Sequence, residues 1–163
     1  MLRISSRGMA LSLLMLLIAI TTLSAATALA GVPGSTSKTN TDDYGLALRG
    51  YDPVAYFTIG RPTHGNERIS TTYDGTLYLF ATEEDRKLFV SNPEKYLPQF
   101  GGFCAVGTAN GQKVDTDPTT GVVVNGKLYL NYNAKVFSLF EKDTPGIINR
   151  ANSNWPEVKD QAF

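Results

Sequence analysis

Chemistry in this chain gathers first at Cys104, its only cysteine, in the run Gly101-Gly102-Phe103-Cys104-Ala105-Val106-Gly107. Flanking glycines leave backbone N–H groups able to approach the sulfur and favour the thiolate, the form that reacts or binds metals. On that reading Cys104 holds a small molecule or metal ion. Alternatively it is a redox thiol, oxidised to sulfenic acid and resolved by an external thiol partner. A third reading stays open: a small core hydrophobe beside Phe103 and Val106, the usual condition of a free cysteine. His64, the only histidine, can join Cys104 as a metal ligand or base, or can simply be an exposed loop residue between Thr63 and Gly65.

A second group surrounds the Asp52-Pro53 turn. Tyr51 and Tyr56, with Phe103, can line a ligand pocket near Cys104, and Asp52 can supply a polar group there; packing tyrosines and an Asx turn are the structural counterparts. Asp115 and Asp117 are oxygen donors of the kind calcium uses, but the rest of a cation loop is missing and a solvated turn serves as well. No glycine-rich phosphate loop, Ser-His-Asp set or His-Glu-x-x-His helix is present in the sequence. One thiol without an assured base is thin support for catalysis, so enzymatic activity stays open.

The elements that must position these residues share 163 residues, room for one domain with a real core. Fifteen basic side chains balance fifteen acidic ones, which argues against a nucleic-acid partner. A charged fraction of 18% with eight Phe, eight Tyr and one Trp argues against disorder. A lone cysteine excludes a disulfide framework within the chain.

Residues 1–30 read as an address. Arg3 and Arg7 precede the apolar run MALSLLMLLIAI, and Ala28-Leu29-Ala30 supplies a small-x-small exit, the three parts of a secretory signal. Cleavage after Ala30 predicts a periplasmic or secreted protein with no membrane span. Removing Arg3 and Arg7 leaves 13 basic against 15 acidic residues, a charge near −2. Residues 31–43 (GVPGSTSKTNTDD) read as a flexible tether, and the domain is expected over 44–163.

Two hairpins are the strongest local signals: residues 69–73 and 76–81 around Asp74-Gly75, and residues 122–124 and 127–132 around Asn125-Gly126. Apolar residues on both faces predict that the first is largely buried. Val54-Ala55-Tyr56-Phe57 reads as a strand. Thr82 and Asp85 open a helix, Asn92-Pro93 interrupts it, and a short turn follows to Tyr96. Residues 110–120 read as loop. A helix is expected over 134–141 with Val136, Phe137, Leu139 and Phe140 inward, then another begun by Thr144-Pro145. The prediction is an α+β fold, a small single domain with two β-hairpins packed against several short helices.

Three stretches together resemble the exported YHS-domain family: Gly50-Tyr51-Asp52-Pro53-Val54-Ala55-Tyr56-Phe57, the block from Tyr73-Asp74-Gly75 to Asn92-Pro93-Glu94-Lys95-Tyr96, and Gly101-Gly102-Phe103-Cys104-Ala105. The likeness covers most of residues 45–156, including Leu128-Tyr129-Leu130-Asn131-Tyr132-Asn133 and Asn154-Trp155-Pro156. In the family's metal-handling branch, found beside copper-transporting ATPases, cysteines stand where this chain has Ala55, Ala81 and Asp85. Those thiolates are missing here, which counts against soft-metal binding in that mode. Some exported relatives are selenoproteins, and the resemblance implies that selenium would replace the sulfur of Cys104.

The expected function is an exported binding or sensing module centred on Cys104. Its ligand would be a small molecule or a metal ion, with copper and zinc the ions to test. The alternatives are a thiol-dependent redox protein and a structural or interaction domain without chemistry.

Overall fold

The computed structural model describes residues 36–163; the expected signal over 1–30 and the tether as far as residue 35 lie outside the described residues. Two antiparallel hairpins are closed by the turns their sequences demand. Strand β1 (Asn66–Tyr73) pairs with β2 (Thr76–Phe80), and β3 (Asp117–Val124) with β4 (Lys127–Asn131). Asp74 and Gly75 have φ of 47° and 75°, and Asn125 and Gly126 have 51° and 74°, the left-handed pairs that two-residue hairpins require. Each ladder breaks register once, between Asn66 and Ser70 and between Asp117 and Val122.

Among the described residues, six α-helices accompany the hairpins: α1 (Ala55–Thr58), α2 (Glu83–Ser91), α3 (Pro93–Tyr96), α4 (Ala105–Ala109), α5 (Ala134–Lys142) and α6 (Thr144–Val158). Thr82 caps α2 by accepting the Asp85 N–H at 3.0 Å, and three acids fill its first turn, both as expected from the helix dipole. Asn133 caps α5 through the Val136 N–H. Val54, Tyr78, Phe80, Phe89, Tyr96 and Leu130 form one apolar core. Phe100, Ala105, Tyr129, Phe140, Ile147 and Ala151 form a second. The α+β architecture is as expected.

Several local expectations need correction. Val54-Ala55-Tyr56-Phe57 is not a strand: the Asp52 carboxylate accepts the Val54 and Ala55 N–H groups at 2.7 and 3.3 Å and starts α1 instead. That contact outweighs the β propensity of Val and Tyr. The first hairpin is buried only along β2, since much of β1 faces solvent. Within residues 110–120, Asp117 to Thr120 extend β3 rather than a loop. Leu139 lies on the outer face of α5, and Asp143, not Thr144, caps α6 by accepting the Gly146 N–H. The Thr144 hydroxyl donates to the Phe140 carbonyl instead.

The expected tether does not run to Asp43. Asn40 and Thr41 are buried, and the Asn40 N–H donates to the Gly101 carbonyl at 2.8 Å. Lys113 draws the two ends of the domain together, its ammonium donating to the carbonyls of Ser37 and Gln161 at 2.9 and 2.7 Å. Folded structure therefore begins before Tyr44.

Candidate functional site

Cys104 precedes α4 as its N-cap. Its N–H donates to the Val114 carbonyl and its sulfur accepts the Gly107 N–H at 3.4 Å. Asn131 Oδ1 lies 4.0 Å from the sulfur. The residue is 1% exposed. Burial pushes the thiol pKa up, and the backbone N–H groups of Gly107, Tyr132 and Val106 only partly oppose the rise. A protonated sulfur without solvent access has the character of a structural cysteine.

The hydrogen bonds of Cys104 go to none of the residues expected around it. Phe103 is fully buried, 5.7 Å from the Phe163 ring and under the Lys113 ammonium. The buried Tyr56 hydroxyl donates to the Pro118 carbonyl at 2.8 Å, and burial pushes its pKa up. Tyr51 stacks on His64 with ring centroids 3.9 Å apart, and the two residues also pair through their backbones. His64 is exposed and is not among the polar contacts of Cys104. Among the described residues, no group of three or more His, Cys, Asp or Glu side chains could hold a metal ion.

Asp52 has a framework role. Its second oxygen accepts the Ala81 N–H at 2.8 Å, so one fully buried carboxylate joins the start of α1 to the end of β2. Asp115 and Asp117 do not form a cation pair. Asp117 accepts the N–H and hydroxyl of Thr119, whereas Asp115 turns to Arg49 and Asn40.

Asp115 belongs to a cleft of about 240 Å³, lined also by Asn40, Asp42, Tyr44, Arg49 and Gly102. Arg49 donates to Asp115 Oδ2 at 2.6 Å, while Asn40 Nδ2 and the Thr116 N–H donate to Oδ1 at 2.9 and 2.7 Å. Burial alone would raise the Asp115 pKa, but these donors outweigh it and hold the carboxyl below its ordinary range. Behind Asp115, the Gly102 carbonyl accepts from Asn40 Nδ2 and the Thr116 hydroxyl. Gly101 and Gly102 thus form part of the cleft wall, while Phe103 and Cys104, which follow them, are buried.

Left-handed backbone is concentrated here. Leu48, Arg49 and Gly50 have φ of 54°, 49° and 80°, and Phe100, Gly101 and Gly102 have 55°, 59° and 83°. Among the described residues, five non-glycine residues have positive φ. Asp74 and Asn125 are accounted for by hairpin turns. The other three line cavities: Leu48 and Arg49 this cleft, and Phe100 a neighbouring one. Nothing in residue type marked Leu48, Arg49 or Phe100 for such backbone; Gly50 and the Gly101-Gly102 pair were the only signals.

Comparison with protein-family models, curated proteins and solved structures finds no match to this chain.

Proposed function

We propose that this chain is an exported YHS-like domain that binds a small polar molecule in the Arg49–Asp115 cleft. The reading keeps the binding module expected from the sequence and moves its centre from Cys104 to the cleft wall. The observation that carries it is the backbone of Leu48 and Arg49. A left-handed conformation costs an L-residue about 1–2 kcal/mol, and such strain gathers at ligand sites because the surroundings enforce it for a purpose.

Arg49 suits a carboxylate-bearing ligand. A guanidinium presents five donors in a planar fork, and the single bond to Asp115 leaves most of them for a second acceptor. Asp42, Asp43 and Asp115 in the same wall suit an accompanying ammonium, so small zwitterions and hydroxy acids fit best. Export is supported by the charged, apolar and small-residue order of residues 1–30.

The test is calorimetric titration of the folded domain with a panel of amino acids, hydroxy acids, 2-oxo acids and dicarboxylates. Saturable binding that Arg49→Gln abolishes, with thermal stability retained, is the expected result. Binding that survives the substitution, or no binding across the panel, overturns the reading.

A further inference from the structure

Beside the Arg49 cleft lies a second cavity, of about 290 Å³, with Thr39, Pro98 and Gly101 lining both. Its chemistry is different. Tyr73, Tyr78, Phe100 and Trp155 supply aromatic surface, Asp74 and Glu94 supply carboxylates, and among the described residues no Lys, Arg or His lines it. Phe100 and Trp155 meet at 62° with centroids 5.9 Å apart, two walls of a corner. Tyr73 donates its hydroxyl to Glu94 Oε1 at 2.9 Å, which joins an aromatic ring and an anionic group on one part of the lining. Phe100 holds its position with φ of 55°, so a strained residue forms this wall as well.

From this juxtaposition we propose that the cavity is a binding site for a small quaternary ammonium group. Aromatic faces carry negative charge density and attract a desolvated cation that is too hindered to hydrogen-bond, and surrounding carboxylates add long-range attraction. An anion would meet two like charges, and a neutral sugar would leave both unused. The volume exceeds that of a trimethylammonium head, leaving room for the rest of the molecule. Neither Arg49 nor Asp115 lines this cavity, so the site stands apart from the cleft of the proposed function.

Trp155 is the only tryptophan, so its emission reports directly on the cavity. The full-length domain, free of its signal, is titrated with tetramethylammonium and choline chlorides, and in parallel with the neutral analogue of choline in which carbon replaces nitrogen. The expected result is a saturable change in Trp155 emission with the cations and at least roughly tenfold weaker binding of the neutral analogue. Glu94→Gln and Asp74→Asn should each weaken the cations several-fold without affecting the neutral analogue. Both sites are exposed, and asparagine tolerates the positive φ at position 74, so the fold is retained. Choline and phosphatidylcholine vesicles are then compared as competitors for bound tetramethylammonium. Displacement by choline alone identifies a free metabolite, and displacement by vesicles identifies a lipid headgroup. No saturable change, equal binding of the neutral analogue, or indifference to both substitutions overturns the proposal.

Discussion

The sulfur of Cys104 accepts the Gly107 N–H at 3.4 Å, so the one thiol in the chain closes the first turn of α4. A helix N-cap normally uses oxygen, and here the chemistry expected of a reactive centre is spent on a backbone donor. Cys104→Ser should retain a cap acceptor and stay within about 1 kcal/mol of the parent in denaturant unfolding. Cys104→Ala, which leaves that N–H buried without its partner, should lose about 1–2 kcal/mol. A thiol reagent should label the folded protein only as fast as it opens. Rapid labelling under native conditions would return Cys104 to the list of reactive residues.

Arg49 offers a test of stored strain. Its φ of 49° suits glycine, while its exposed ion pair with Asp115 is worth only about 0–1 kcal/mol. Arg49→Gly should therefore be about 1 kcal/mol more stable than Arg49→Ala, which loses the same ion pair and keeps the strain. Both should lose ligand binding in the cleft. Equal stability of the two variants, measured by urea unfolding, would show that the turn is not strained.

Asp52 gives the fold a pH dependence with a definite sign. Burial pushes its carboxyl pKa up from 3.8 to about 6; the Ala81, Val54 and Ala55 N–H groups pull the other way, and the Asp85 charge adds to the rise. Between those values the folded state holds a proton that the unfolded chain has released. Its contribution is therefore complete below about pH 3.8 and is lost as the pH rises through about 6. The loss should be on the order of 1–3 kcal/mol. Asp52→Asn should remove that slope and add a pH-independent penalty, because its amide N–H₂ faces a backbone donor. Chemical unfolding at several pH values compares the two slopes, and parallel curves would exclude Asp52 as the titrating group.

Residue type revealed those features that close within a few neighbours. Asp74-Gly75 and Asn125-Gly126 set both hairpins, and Thr82 with Asp85 set the start of α2. Features decided by remote contacts stayed hidden. Helix α1 depends on Asp52, whose carboxylate also reaches Ala81, 29 residues away. The cleft depends on Arg49 meeting Asp115, 66 residues on, and on a left-handed backbone that neither Leu48 nor Arg49 announces. Cys104 drew notice because cysteine is reactive in general, whereas its burial is set by the packing of distant elements that residue type does not announce. Tyr73 and Glu94, at the second cavity, are ordinary strand and helix residues until the fold brings them within 2.9 Å.

Gly101 links the folded core to the segment that precedes Tyr44. A Cβ placed there would lie 1.8 Å from the Lys38 carbonyl oxygen, and its φ of 59° already disfavours a side chain. Backbone cannot yield as a side-chain tip does, so Gly101→Ala should push residues 38–40 off the domain, at roughly 2–4 kcal/mol from overlap and strain together. The local result is loss of hydrogen-exchange protection at the Asn40 N–H, which donates to the Gly101 carbonyl. Because Thr39 and Gly101 line both cavities, binding in each should weaken with it. Gly111→Ala is the control: its φ is also positive, at 79°, but no atom lies within 4 Å of the added carbon. Strain alone should then lower stability by about 1 kcal/mol and leave Asn40 protected. Protection of Asn40 surviving in Gly101→Ala would mean that this segment does not depend on the close approach at Gly101.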